Sequence, residues 1–267
     1  MAESKPVCLV TGASAGIGAA IAREYASRDW DLALTARREA PMMTLAAGLK
    51  SEFGTTSHIF PLDLFDPDAT RDLMQRIGKK GIRIDGLVNN AGYGHPGTYL
   101  DIPWEDHADF LQLMLRAPCE LARAVLPGMK SGNFGRIINV ASLAGHVPGA
   151  RGSTLYGAVK SFLIKFSQSL HLEMKDSGIH VCALCPGFTH SEFHDVNGTR
   201  SGVGKLPGYM WMSAGECAFA GVEACEANRP VFVPGRVNKA IAAAARIIPD
   251  PVAMHLMDRN LDRIRKD

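Results

Sequence analysis

The sequence predicts an α/β protein built on a doubly wound, mostly parallel seven-stranded sheet with helices on both faces. Three observations lead there. Short β-rich runs alternate with helical stretches along all 267 residues, the pattern of successive βαβ units. A glycine-rich turn, Thr11-Gly12-Ala13-Ser14-Ala15-Gly16-Ile17-Gly18, joins the first apolar run to the first helix. The chain is also long enough to bury the core of one large domain, residues 1–267, and shows no internal repeat, linker or low-complexity tract. Right-handed crossovers then place a ligand at the carboxyl ends of the strands.

Taken in order, the first strand is Pro6–Thr11 and its helix opens near Gly16. Asp31–Ala36 leads to a helix from about Pro41, and Ser57–Leu62 to one from about Pro67. Gly86–Asn89 precedes a long helix, Pro103–Lys130, and Gly135–Ala141 precedes Thr154–Asp176. Three of these starts are prolines, whose fixed φ suits a first helical turn. Ile179–Cys185, a helix near Ser213 and the short run Val231–Val233 complete the alternation. The least regular stretch, about 188–212, sets Phe188, Phe193, Leu206, Tyr209, Trp211 and Met212 among glycines and polar residues. A long loop with so many large apolar side chains reads as a substrate lid. The last segment, about 236–267, reads as short helices broken at Pro249-Asp250-Pro251, able to wall a pocket, pack a subunit interface or rest on a membrane.

Bulk composition removes several classes of function. Lysine and arginine number 29 against 27 acidic residues, a net charge of +2, so no global field argues for nucleic acid or an anionic membrane. The N-terminal Met-Ala-Glu-Ser-Lys-Pro lacks the apolar stretch of a signal peptide, and no run is long enough to span a bilayer. The six cysteines follow no disulfide pattern, which fits reduced thiols in a cytoplasmic protein. Cys182-x-x-Cys185 lies in an apolar strand without a partner pair, so its two thiols point to opposite faces and hold no metal.

The chemistry concentrates in three places. Tyr156 and Lys160, at i and i+4, share one helix face, with Ser142 at the end of the strand before them. A free phenol has a pKa of about 10, and a neighbouring ammonium favours the phenolate and brings the group toward a useful range. Gly12, Ser14, Gly16, Ile17 and Gly18 follow a strand and open a helix, the setting of a phosphate-binding turn whose helix supplies free N–H groups. At the end of the second strand an acidic residue would hold both ribose hydroxyls of NAD, but this chain carries Arg37 and Arg38. Two guanidiniums suit a 2′-phosphate, so the cofactor expected is NADP(H).

These motifs, with Asn89-Asn90-Ala91-Gly92 and Pro186-Gly187, occur in the order found in short-chain dehydrogenases/reductases, and from about Pro6 to Pro234 the chain resembles that family. The resemblance implies a Rossmann-type fold and an NADP(H)-dependent oxidoreductase that interconverts a carbonyl and a secondary alcohol. Its implied substrate is a mainly apolar small-molecule ketone or alcohol, and its implied assembly a homodimer or homotetramer packed through Pro103–Lys130 and Thr154–Asp176. Within it Tyr156 is the general acid or base, Lys160 lowers its pKa and bonds the nicotinamide ribose, and Ser142 polarises the carbonyl. Asp63 and Leu64 would meet the adenine, and Asn90, Ala91 and Gly92 the adenosine ribose, while Asn89 props the central strands. Pro186, Gly187, Phe188 and Thr189 would meet the nicotinamide. Tyr93, His95, His146, Val147, Phe193, Tyr209 and Trp211 are further pocket candidates.

One position departs from the family pattern. Counting back from Leu126-Pro127-Gly128-Met129 puts Met114 where the family has a relay asparagine. A thioether accepts weakly and donates nothing, so a relay would have to run through backbone and water. Two rival readings stay open on the sequence: a nucleotide-binding sensor or scaffold with weakened turnover, and an isomerase or epimerase that keeps its cofactor.

Overall fold

The computed structural model describes residues 5–94, 97–191 and 207–265. The alternation becomes β1 (Val7–Thr11), α1 (Gly16–Ala26), β2 (Asp31–Ala36), α2 (Glu39–Phe53), β3 (Ser57–Pro61), α3 (Ala69–Lys79) and β4 (Gly86–Asn89). Then come α4 (Trp104–Leu111), α5 (Ala117–Ser131), β5 (Gly135–Val140), α6 (Thr154–Glu173) and β6 (Ile179–Leu184). β7 (Phe188–His190), β8 (Trp211–Ser213), α7 (Ala214–Glu226), β9 (Val231–Phe232), α8 (Arg236–Ala244) and α9 (Asp250–Arg265) follow.

One seven-stranded sheet runs β3-β2-β1-β4-β5-β6-β9, every neighbouring pair parallel. Because side chains alternate along a strand, β1 sends Cys8 and Val10 to one face and Leu9 to the other. The first face packs on α1, α2 and α7 through Ile21, Tyr25, Met42, Leu49 and Val222. The second packs on α3, α5 and α6 through Leu73, Ile77, Leu121, Val125 and Leu170. Strand order reverses between β1 and β4, which opens a crevice at their carboxyl ends. Among the described residues, no helix is long and apolar enough to cross a membrane.

Three stretches differ from the sequence reading. The helix from Pro103 to Lys130 is interrupted: a π-helical turn, Gln112–Arg116, separates α4 from α5. Pro118 supplies the reason, because it has no N–H for the Met114 carbonyl and its ring would press on that carbonyl in a regular helix. The wider turn moves the Ala117 N–H back to the Gln112 carbonyl instead. The second difference is small: α3 starts at Ala69, after a turn in which the Asp66 carboxylate takes the Asp68 N–H at 2.8 Å. The third lies in the stretch read as a lid. Its two ends pair as a parallel two-stranded ribbon, β7 with β8, with Trp211 against Phe188 and stacked on His190 at 4.7 Å. Its middle, including Phe193 and Leu206, lies outside the described residues.

A buried amide ladder ties the centre of the sheet to α6. Asn89 Nδ2 donates to Asn139 Oδ1 at 2.8 Å, and Asn139 Nδ2 donates to Ser167 Oγ at 2.8 Å. Asn89 also reaches the Pro118 carbonyl at 3.3 Å, which joins α5 to the same ladder. Stripping one rung strands buried polar partners. We expect Asn139→Ala to lose about 1–3 kcal/mol of stability. A urea melt checks it: the midpoint should fall with an unchanged slope, and an unchanged midpoint would show the ladder to be energetically idle.

Candidate active site

The crevice is built around Thr11 and Asn90. Thr11 Oγ1 donates to the Val88 carbonyl at 3.2 Å and accepts the N–H groups of Asn90 and Ala91, each at 3.0 Å. The Asn90 amide returns the contact, donating to the carbonyls of Thr11 at 3.0 Å and Gly12 at 3.2 Å. This explains two glycines. A Cβ on Gly12, whose φ is +65°, would lie 2.8 Å from Asn90 Nδ2, and one on Gly18 would collide with that amide and the Gly12 carbonyl. Asn90 therefore braces the turn with its side chain, and Gly92 is the exposed member of its motif. The helix the turn opens, α1, begins on Ala15, which has no side-chain cap to offer, so its first N–H groups face the crevice. By contrast α7 begins with a full capping box, Ser213 with Glu216.

Both predicted arginines stand at the mouth of this turn, in different postures. Arg38 Nη2 donates to Ser14 Oγ at 3.3 Å, whereas the Arg37 guanidinium lies over the Phe65 ring at 5.6 Å. Phe65 in turn meets Tyr93 edge-on at 5.6 Å. The Asp63 carboxylate is exposed and takes the Phe65 N–H at 3.1 Å, and Leu64 is buried beneath. A dinucleotide with a 2′-phosphate fits what is here: a cradle that a Cβ would fill, an uncapped helix start and two guanidiniums beside a serine hydroxyl.

Ser142, Tyr156 and Lys160 converge beyond the ends of β5 and β6. Ser142 caps a short 3-10 turn, accepting the Ala144 N–H at 3.1 Å, and its hydroxyl is hydrogen-bonded to that of Tyr156. Lys160 is buried and donates to the Val140 carbonyl at 2.7 Å, with its Nζ 5.6 Å from the centre of the Tyr156 ring. Burial pulls the lysine pKa down to about 8, an effect that nearby Cys185 partly offsets. The expected lowering of the phenol by Lys160 is not what the structure gives. Loss of water raises the Tyr156 pKa, and the bond from Ser142 only tempers the rise. The lysine is directed at Val140, and burial drives both groups toward their neutral forms.

Met114 sits in the same neighbourhood. It is 2% exposed, in one apolar cluster with Ala91, Tyr93 and Tyr156, and a Cβ on Gly92 would come within 2.5 Å of its sulfur. The counting from Leu126 thus brings it beside the crevice, where it serves as packing.

The turn after β6 closes the crevice. The Pro186 carbonyl accepts the Leu143 N–H at 2.8 Å, which ties it to the Ser142 loop. Thr189 is buried and its hydroxyl donates to the Gly187 carbonyl at 3.2 Å. Phe188 is half-buried against Trp211. Half-buried His146 is held toward its neutral form by burial, aided by Arg246 and Lys165, while Tyr209 is exposed. His95 lies outside the described residues.

Sequence reasoning missed one wall. Gly97, Tyr99, Ile102, His107 and Leu155 line a small cleft with Tyr156. His107 is 4% exposed, places Nε2 at 3.0 Å from the Tyr99 carbonyl and stacks on that ring at 4.6 Å. Nothing in its helical spacing distinguished this histidine from a surface one. Cys182 and Cys185 pack into different clusters on opposite faces, as alternation required.

Comparison with known proteins places the chain. The short chain dehydrogenase family pattern matches residues 6–200. The very-long-chain 3-oxoacyl-CoA reductase of Anas platyrhynchos is 33% identical over 193 residues, 71% of this chain and 61% of that protein. Among solved structures, a short-chain dehydrogenase from Sphingobium yanoikuyae in complex with NADPH is 32% identical with a TM-score of 0.79, over 91% of this chain and 96% of the other. The bulky-bulky ketone specific alcohol dehydrogenase from Comamonas testosteroni is 30% identical with a TM-score of 0.75, over 91% and 93%. With the glycine-rich turn, the Asn90 brace and the Ser142–Tyr156–Lys160 cluster all in one crevice, the chain belongs to the short-chain dehydrogenase family of oxidoreductases.

Proposed function

We propose that the protein is an NADP(H)-dependent oxidoreductase that interconverts a ketone and a secondary alcohol on a mainly apolar small molecule. The observation that carries this reading is the paired hydroxyls of Ser142 and Tyr156 at the end of the crevice, with Lys160 one helical turn away. The NADPH complex of the Sphingobium relative and the ketone specificity named for the Comamonas one support it. So do the apolar and aromatic walls: Tyr99, Ile102 and Leu155 on one side, Phe188 and Trp211 near the other.

Bound in the crevice, the cofactor supplies the hydride. The rest falls to side chains. Arg38, Ser14 and Arg37 bind the 2′-phosphate, and the first N–H groups of α1 hold the pyrophosphate. Ser142 donates a hydrogen bond to the substrate oxygen and sets its distance from Tyr156. Tyr156 gives its proton to that oxygen in reduction and recovers it in oxidation. A phenol kept protonated by burial is ready to act as an acid. Lys160, with a pKa of about 8, exchanges protons near neutrality and can resupply the phenol. No side-chain amide stands at Met114 to hold a relay water, so backbone carbonyls beside the π turn take that task.

Three measurements test the reading. Stoichiometric NADPH oxidation against a ketone panel should be seen, and Tyr156→Phe should abolish it while leaving NADPH binding nearly intact; retained activity would move the acid elsewhere. Arg37→Ala should raise KM for NADPH about tenfold with little change for NADH, the loss of one charge-assisted hydrogen bond. Lys160 also carries a pH signature. Its pKa is lower folded than unfolded, so the folded state bears a burial cost below about pH 8 that fades as pH rises toward the unfolded value. The unfolding free energy of the parent relative to Lys160→Met should therefore climb between about pH 7 and pH 10. A flat difference would mean that the buried amine is not the titrating group.

A further inference from the structure

The C-terminal segment reaches the Pro186–Gly187 turn through Asn238. After the edge strand β9 the chain turns at Pro234-Gly235, with Gly235 at a φ of +86°, and starts α8. The third residue of that helix, Asn238, is 6% exposed and points back under the β6 end. Its Nδ2 donates to the Pro234 carbonyl at 2.9 Å, which fixes the plane of the carboxamide. That carboxamide lies directly on Gly187: a Cβ built there would come to 2.6 Å from both Cγ and Nδ2 of Asn238. Other holds on the same turn include the Leu143 N–H on the Pro186 carbonyl at 2.8 Å, the Thr189 hydroxyl on the Gly187 carbonyl at 3.2 Å and the pairing of Phe188 and Thr189 with β8. Both Pro186 and Gly187 carbonyls are thus committed inside the protein.

We propose that Asn238 is a positioning residue that sets the height of the Pro186–Gly187 backbone beneath the nicotinamide. The proposal rests on the reading that this turn meets the nicotinamide. A flat amide is the right tool. It is thin enough to lie on a glycine Cα, stiff once its N–H is bonded to Pro234, and polar enough that its removal leaves the Pro234 carbonyl seeking water. Leucine there would be thicker, and alanine would let the turn sink. Near-attack geometry tolerates little of this, since a displacement of about 1 Å can cost about 100-fold in rate. Asn238 touches neither hydride nor proton, so its influence is on geometry alone.

The test uses the full chain with Asn238→Ala, Gly187→Ala and the double variant. Hydrogen exchange without any cofactor comes first. Asn238→Ala should speed exchange of the Gly187 to Thr189 amides by about tenfold while central strand amides stay protected, the mark of local loosening. With NADPH and the best ketone, kcat should fall about tenfold to 100-fold, KM for NADPH should change less than about threefold, and the primary isotope effect with 4-deuterated NADPH should rise. Gly187→Ala alone should be worse than Asn238→Ala, and the double variant should recover activity over Gly187→Ala, because the space for the methyl group has been cleared. Should Asn238→Ala unfold, Asn238→Asp keeps the shape but sets an acceptor oxygen, charged when ionised, against the Pro234 carbonyl in place of the donor, with the same shifts expected. Unchanged exchange at 187–189 with additive single effects would overturn the proposal. A parent enzyme that neither binds nor oxidises NADPH would overturn the reading of the site instead, and the exchange result would still judge Asn238.

Discussion

The reciprocal bonding of Thr11 and Asn90 joins the ends of β1 and β4, and the crevice takes its shape from that joint. At this point strand order reverses, so adjacent crossovers leave in opposite directions, and the ladder between β1 and β4 runs only to Val10 and Val88, leaving the residues beyond to be joined by other bonds. One hydroxyl and one carboxamide supply them, with four hydrogen bonds between 3.0 and 3.2 Å shared among Thr11, Gly12, Asn90 and Ala91. Everything above follows. The glycine-rich turn must lack side chains where it meets the Asn90 amide, and α1 must begin close to it. The Ala13 N–H binds the Thr35 carbonyl at 3.3 Å, which ties the arginines at the end of β2 to the same frame.

The electrostatics of the cluster trade stability for readiness. A lysine buried to 6% exposure and a phenol shielded from water both resist ionisation, and each is costly to bury. Their costs are met by bonds that point away from bulk water, to Val140 for the lysine and to Ser142 for the phenol. The neutral phenol and the easily discharged amine form a pair able to lend and regain a proton without a large charge ever standing uncompensated in the crevice. A surface tyrosine and lysine at the same spacing would lack this property, so spacing alone did not reveal it.

Much of the architecture was legible because strands and glycines announce themselves. All seven strands of the main sheet lie within the runs picked out by their apolar character, and Gly12 and Gly18 proved necessary for contact. Asn89 was read as a prop for the central strands, and its ladder to Asn139 and Ser167 is that prop. What escaped notice depended on tertiary context. The ribbon of β7 and β8 is three residues long on each side and is held by Trp211 stacking on His190, contacts between positions 21 apart along the chain. His107 and Asn238 are buried polar residues on amphipathic helices, and no periodicity separates them from exposed ones. The direction of the Lys160 ammonium is set by the Val140 carbonyl, which the sequence cannot place.

The π turn between α4 and α5 has a consequence of counting. Such a turn is an ordinary helix holding one residue more than its hydrogen bonds need. A chain shorter by one within Gln112–Arg116, and without a proline at position 118, could run straight from α4 into α5 with both flanks still on their present partners. An extra residue displaces everything on one side of it by about 100° around the axis relative to a plain helix. Ungapped spacing measured backward from Leu126 is therefore safe only as far as the turn. Against a relative without the bulge, His107 and Phe110 would each be matched one position out, and their burial would look like a surface pattern.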